Sequence, residues 1–319
     1  MNTEITNAVN AAGDKAQYDA RVKRILAQKN ILAHILVKTV DEFKGMKPED
    51  VVTYIEGEPK VGIVPVEPGL MNAEKTDATG QRIVGLNTET AEINEGLVRF
   101  DIIFYVRMKN GLSQIIVNVE AQKDEPNKYK LLNRAIFYVS RLVSSQKERD
   151  FVNTNYDDIK QVFSIWICMN MDCNSLSHIH LTKDEMLSPY DWKGNIDLLN
   201  IVLVGITNDI PDHEEKYEMH RLIGALLSSE LKEQEKLDII EHEYNIPISN
   251  ELREDVRIMC NLSTGIEERA TEKATEKTSE KFILNMYKKG YALDQIADVA
   301  ETSVEVVEAI VKKKEPAMV

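Results

Sequence analysis

The alternation of apolar and polar residues is sharpest between Leu97 and Gln122, where LVRFDIIFYV and QIIVNVEAQ flank RMKNGLS. Both flanks are rich in β-branched and aromatic residues. Asn110–Gly111 between them is the strongest short-range hairpin signal, because a type I′ turn needs positive φ at both central positions. A two-residue turn makes paired residue numbers sum to 221, which sets Asp101 opposite Glu120 and Arg99 opposite Gln122. On this register Val98, Phe100, Ile102, Phe104 and Val106 form an apolar face, while Arg99 and Asp101 share the other face with Asn118, Glu120 and Gln122.

The rest of the chain divides by period. Residues 1–20 are polar and expected to fray, and Arg21 to Phe43 reads as one amphipathic helix with Ile25, Leu32, Ile35, Leu36 and Val40 as its stripe. Gly57 to Gly96 is irregular and interrupted by prolines. Within it a short strand at Arg82–Leu86 is expected to join the sheet beside the hairpin. Asn127 to Gln146 is helical, with Leu131, Ala135, Tyr138 and Leu142 in one row and Leu132, Ile136, Val139 and Val143 in the next. Lys160–Met169 is a continuous apolar strand suited to mid-sheet burial, followed by strands at Ser177–Leu181 and Leu198–Ile206. Helices are expected at His213–Leu231, Glu233–Tyr244 and Glu251–Leu262. IEERATEKATEKTSEK (266–281) is a solvated helical connector without a heptad seam. The end, 282–319, reads as a small helical module resembling a helix-turn-helix, with Ser303 as a cap. Glu305 and Glu308 make its last helix a poor reader of a DNA groove.

Two carboxylates on directly opposed strand positions lie roughly 5 Å apart at Cβ and repel unless a proton or a hard cation such as Mg²⁺ sits between them. The plainer alternative is a pair of solvated acids. After the hairpin, Lys123, Lys128 and Lys130 lead into a helix with Arg134, Tyr138 and Arg141 along one edge. This is the basic segment nearest the acids, and it suits phosphate contact as well as it suits solvent.

Asp101 followed by Glu120–Ala121–Gln122, with LLNRAIFYVSRLVSSQ behind and YDDIKQVFSIWICMN beyond, resembles the core of the PD-(D/E)XK nuclease superfamily. More narrowly it resembles the PD-(D/E)XK family transposases, the recombination-promoting nuclease type. The resemblance spans roughly residues 30 to 310. It implies an α/β fold, a restriction-endonuclease-like mixed sheet flanked by helices over 21–265, with the helical C-terminal appendage beyond the connector. It also implies a Mg²⁺ (or Mn²⁺) site held by Asp101, Glu120 and the Ala121 backbone carbonyl, and DNA as the substrate. Gln122 takes the position usually held by lysine; an amide can orient water but carries no charge and cannot act as general acid or base. Glu42 and Glu56 are candidates for the accessory acid that many members carry, and Lys123, Arg134, Tyr138 and Arg141 for phosphate contact. A homodimer is expected if both DNA strands are cut.

Composition narrows the classes. A 319-residue chain that is 43% hydrophobic and 29% charged can bury a sizeable core. It has no apolar run near the ~20 residues of a membrane helix. The opening MNTEITNAVNAAGDKAQ has neither a basic start nor an apolar core, so no secretory signal is expected. Three cysteines make no disulfide framework, and a cytoplasmic setting without disulfide-linked or membrane partners fits. Cys168, Cys173, His178 and His180 lack zinc spacing. The net charge of −14 weighs against nucleic acid, so DNA contact requires a local basic patch. Two rivals stay open: a nuclease-shaped protein that binds DNA or a protein partner without cutting, and an unrelated α/β enzyme whose carboxylates act as acid and base.

Overall fold

The computed structural model describes residues 16–61, 75–76, 82–83, 89–92, 96–99, 102–108, 114–122, 130–147 and 150–314, with 75–99, 114–122 and most of 264–276 described by their backbone alone. Asp101, Lys123, Lys128 and the Asn110–Gly111 turn lie outside the described residues.

Residues 16–26 form helix α1, and a break at Ala27–Gln28 separates it from α2 (Lys29–Thr39). The single helix expected from Arg21 to Phe43 is therefore two. Helix α1 also takes in residues 16–20, which were expected to fray. A short α3 (Pro48–Val51), with proline in its first turn, leads to strand β1 (Ile55–Val61). Two small strand pairs follow: β2 (Lys75–Thr76) pairs with β3 (Arg82–Ile83), and β4 (Glu89–Glu92) pairs with β5 (Gly96–Arg99). Then come β6 (Ile102–Arg107), β7 (Gln114–Gln122), α4 (Leu131–Ser144), β8 (Val162–Cys168), β9 (Ser175–His180) and β10 (Leu199–Gly205). Helices α5 (Glu218–Leu227), α6 (Glu233–Asp238), α7 (Asn250–Lys288), α8 (Leu293–Val299) and α9 (Val304–Lys314) complete the described chain.

The fold is mixed α/β around a six-stranded sheet of order β1-β6-β7-β8-β10-β9. β1, β6 and β7 are antiparallel neighbours, β8 runs parallel to β7 after the α4 crossover, and β10 runs parallel to β8. The hairpin register is as expected. Ile103 pairs with Asn118 and Arg107 with Gln114, and each described pair sums to 221.

Two expectations fail here. The partner of the hairpin is β1, and Arg82–Ile83 pairs only with β2 among the described residues. Gly57 and Pro59 disguised β1, yet an edge strand tolerates both when it carries a bulge. The β1 register shifts between Glu56 and Lys60, where Gly57 has φ +60°. Among the described residues Arg99, at the end of β5, pairs with Glu89 and not with Gln122.

Strand β8 shows how the sheet divides the core. All seven of its residues are buried. Phe163, Ile165 and Ile167 join Ile102, Phe104 and Val106 under α1, α2 and α5, whereas Val162, Trp166 and Cys168 join Ile103 and Tyr105 under α4. β6 is likewise buried on both faces from Ile102 to Val106. The face read as polar in the hairpin thus carries Ile103 and Tyr105 beneath a helix. On the α1 side, Asp255 of α7 receives Arg21 at 2.5 Å and Arg24 at 3.1 Å.

The chain resolves into two compact units, 16–260 and 261–319. In the second, Ile283, Ile296, Ala297, Val307 and Val311 form a separate small core. The helix expected at 251–262 and the connector at 266–281 belong to one unbroken helix, α7. Ala, Glu, Lys and Arg dominate the junction, and no proline interrupts it. In α9, the Ser303 hydroxyl accepts the Val306 N–H at 3.4 Å, the cap expected there.

Among the described residues no helix is long and apolar enough to cross a membrane. None of the three cysteines is in a disulfide.

Candidate functional site

The site is built on β7, β8 and α4. Helix α4 forms because Leu131, Ala135, Tyr138, Val139 and Leu142 recur on one side and are buried there. Leu132 and Ile136, from the second apolar row, are 40% and 45% exposed. The buried stripe seats α4 on the sheet face that holds Ile103, Tyr105 and Trp166.

In the parallel β7–β8 ladder Glu120 stands beside Trp166, Ala121 beside Ile167 and Gln122 beside Cys168. Residues in register share a face, so positions 118, 120 and 122 lie on the α4 side of β7. Trp166 is fully buried, and its indole N–H donates to the Ser164 hydroxyl at 2.9 Å. The Tyr138 ring tilts against it with centroids 5.3 Å apart.

Arg134 completes the layer. Its guanidinium lies 4.6 Å from the Tyr138 ring centroid and 5.2 Å from that of Trp166, and its Nη2 donates to the Tyr138 hydroxyl at 2.6 Å. Two aromatic faces and one hydrogen bond are among the contacts that hold this cation. A guanidinium laid on two rings has its plane already set.

The other sequence candidates separate. Arg141 is half-buried in the last turn of α4. Glu56 stands opposite Tyr105 on β1, and its carboxylate takes Arg107 Nη2 at 2.6 Å and Nε at 3.0 Å. Tyr105 is in turn opposite Ile116, four residues before Glu120, or about 13 Å along the strand. Glu42 lies in a 3-10 turn, Asp41–Phe43, whose Phe43 is buried in the core of the opposite sheet face.

Among the described residues no three His, Cys, Asp or Glu side chains cluster as metal ligands would. Compared with protein-family models, curated proteins and solved structures, the chain matches none.

His178 and His180 stack at 4.9 Å on β9. His178 Nε2 is 2.7 Å from Asn200 Oδ1, and its ring lies against Phe163, so this histidine is tied into the strand. The residue that sequence reasoning missed is Trp166. Inside FSIWICM it reads only as strand core, and nothing local announces that an arginine 32 residues earlier, on a helix, is laid on its ring.

Proposed function

We propose that this chain is a Mg²⁺-dependent DNA endonuclease of the PD-(D/E)XK type, with Asp101 and Glu120 as the metal-holding acids and DNA recombination or transposition as its setting. The observation that supports this reading is the coincidence on one sheet face of strand position 120 and the pre-oriented guanidinium of Arg134, joined through Trp166. The element order adds to it. Antiparallel β6 and β7 are followed by crossover α4 and by β8 parallel to β7, a mixed sheet with a flanking helix of the kind this reading needs. The hairpin sum of 221 holds at each described pair, from Ile103–Asn118 to Arg107–Gln114.

The donor set suits the ion. Two carboxylates and the Ala121 carbonyl are all hard oxygen ligands, the kind Mg²⁺ and Mn²⁺ prefer. Bound there, the ion supplies Lewis acidity toward water and phosphate and neutralises charge on the leaving oxygen. The protein's own groups do the positioning. Gln122 offers an amide that orients a water by hydrogen bonding and moves no proton. Arg134 supplies a positive charge for the phosphate side, and its hydrogen bond to Tyr138 fixes where that charge sits.

The test is plasmid nicking with Mg²⁺ by wild type, Asp101→Ala and Glu120→Gln. Wild type converts supercoiled plasmid to open circles, and both variants fall to background. Equal nicking by all three sinks the metal-site reading. The second reading, binding without cleavage, draws on the net charge of −14 and on Gln122 in place of lysine. It predicts salt-dependent DNA binding that Mg²⁺ leaves unchanged.

A further inference from the structure

The two edges of the six-stranded sheet are built differently. β1 carries Glu56, Glu58, Pro59 and Lys60 and a register shift, all devices that discourage another strand from pairing. β9, at the other edge, is Ser-Leu-Ser-His-Ile-His. It has no Lys, Arg, Asp, Glu or Pro, and its register with β10 runs unbroken from Ser175 to His180. Leu176, Ser177, His178 and His180 are exposed. Among the described residues nothing pairs with its outer side.

A second, independent feature adjoins it. The connection from β9 to β10 exposes Met186 by 92%, Leu187 by 91%, Trp192 by 74% and Tyr190 by 63%. Tyr190 and Trp192 pack edge to face at 4.8 Å, so the two rings form one apolar knob. Apolar groups this exposed, and this close together in the chain, mark an interaction surface.

We infer that β9 and the 181–198 connection form a homodimer interface, in which two copies of this chain pair antiparallel through β9 about a two-fold axis. Two arguments select a second copy as the occupant. A two-fold antiparallel pair is self-complementary, since the same strand serves both sides. The chain carries −14, so two copies repel over most of their surfaces, while β9 is an uncharged window through which they can meet. The contact draws on the exposed parts of Tyr190, Trp192, Met186 and Leu187 together with the strand edge, toward the about 800 Å² per partner of a standard interface.

The experiment is sedimentation equilibrium of the full chain at tens of micromolar, with hydrogen exchange on the same samples. Wild type sediments as two chains of 36.3 kDa, and Leu176→Lys/Ser177→Lys and Trp192→Ala shift it to monomer while keeping wild-type circular dichroism. A monomeric wild type, or a dimer that folded variants leave intact, overturns the inference. Exchange reads the unmutated protein. β9 amides are protected at dimer concentrations and lose protection on dilution, and equal exchange at both concentrations also overturns it.

Discussion

Arg134 draws its interest from what restrains it. An exposed arginine on a helix is ordinarily a solvated charge, but this one lies across two rings and donates to a phenol, so part of the entropy a long side chain loses on binding is already spent. His34 offers a separate measurement at the same scale. Burial lowers its pKa below the ordinary 6.5, against the smaller upward pulls of Glu49 and the Tyr244 backbone, and its ring meets Tyr244 edge-on at 5.3 Å. The unfolded chain therefore takes up a proton that the folded protein resists, and this contribution to stability is lost as pH falls through the ordinary value. Between about pH 7.5 and about pH 5.5 the urea midpoint is expected to fall, and by less in His34→Gln. An equal fall in both proteins would remove His34 from the pH response.

At the scale of elements, β9 depends on close approach to β10. Gly205, opposite Ser175, has no room for a side chain. A Cβ there would come 2.5 Å from the Ser175 hydroxyl and 3.3 Å from the Cys173 carbonyl. A rotating hydroxyl can yield and a backbone carbonyl yields less, so Gly205→Ala is expected to cost little and Gly205→Val about 1–3 kcal/mol. Chemical denaturation checks this, and a valine variant as stable as wild type contradicts it. His220 supports the same strand end, with Nε2 2.9 Å from the Ser175 carbonyl. The opposite edge shows why β1 escaped the alternation rule. Its bulge offsets the period by which strands are recognised, and glycine and proline sit where that bulge requires them.

For the whole molecule, charge governs both solubility and partners. A net charge of −14 opposes compaction through self-repulsion, and salt screens it over a Debye length of about 8 Å at 0.15 M. The melting temperature is expected to rise by a few degrees between about 0.01 M and about 0.15 M NaCl, where 1 kcal/mol shifts a domain of this size by about 2–4 °C. A flat or falling trend would show that local ion pairs such as Asp255 with Arg21 and Arg24 outweigh the net repulsion. The same charge confines any DNA contact to a local basic surface.

The sequence by itself determined the elements whose signal is local and periodic. The β6–β7 register follows from alternation about Asn110–Gly111, β8 from an unbroken apolar run, and α4 from its buried stripe. It determined the chemistry on offer as well, because Glu120, Gln122 and Arg134 keep their functional groups in any fold. Only the tertiary structure decided that β1 rather than residues 82–86 flanks the hairpin, that Ile103 and Tyr105 bury the face read as polar, and that Trp166 joins Arg134 to the strand position of Glu120. The physical reason is one of range. Periodicity reports which side of an element is apolar, whereas strand order and ring-to-guanidinium contact depend on residues far apart in the chain that meet only when the sheet and helix pack.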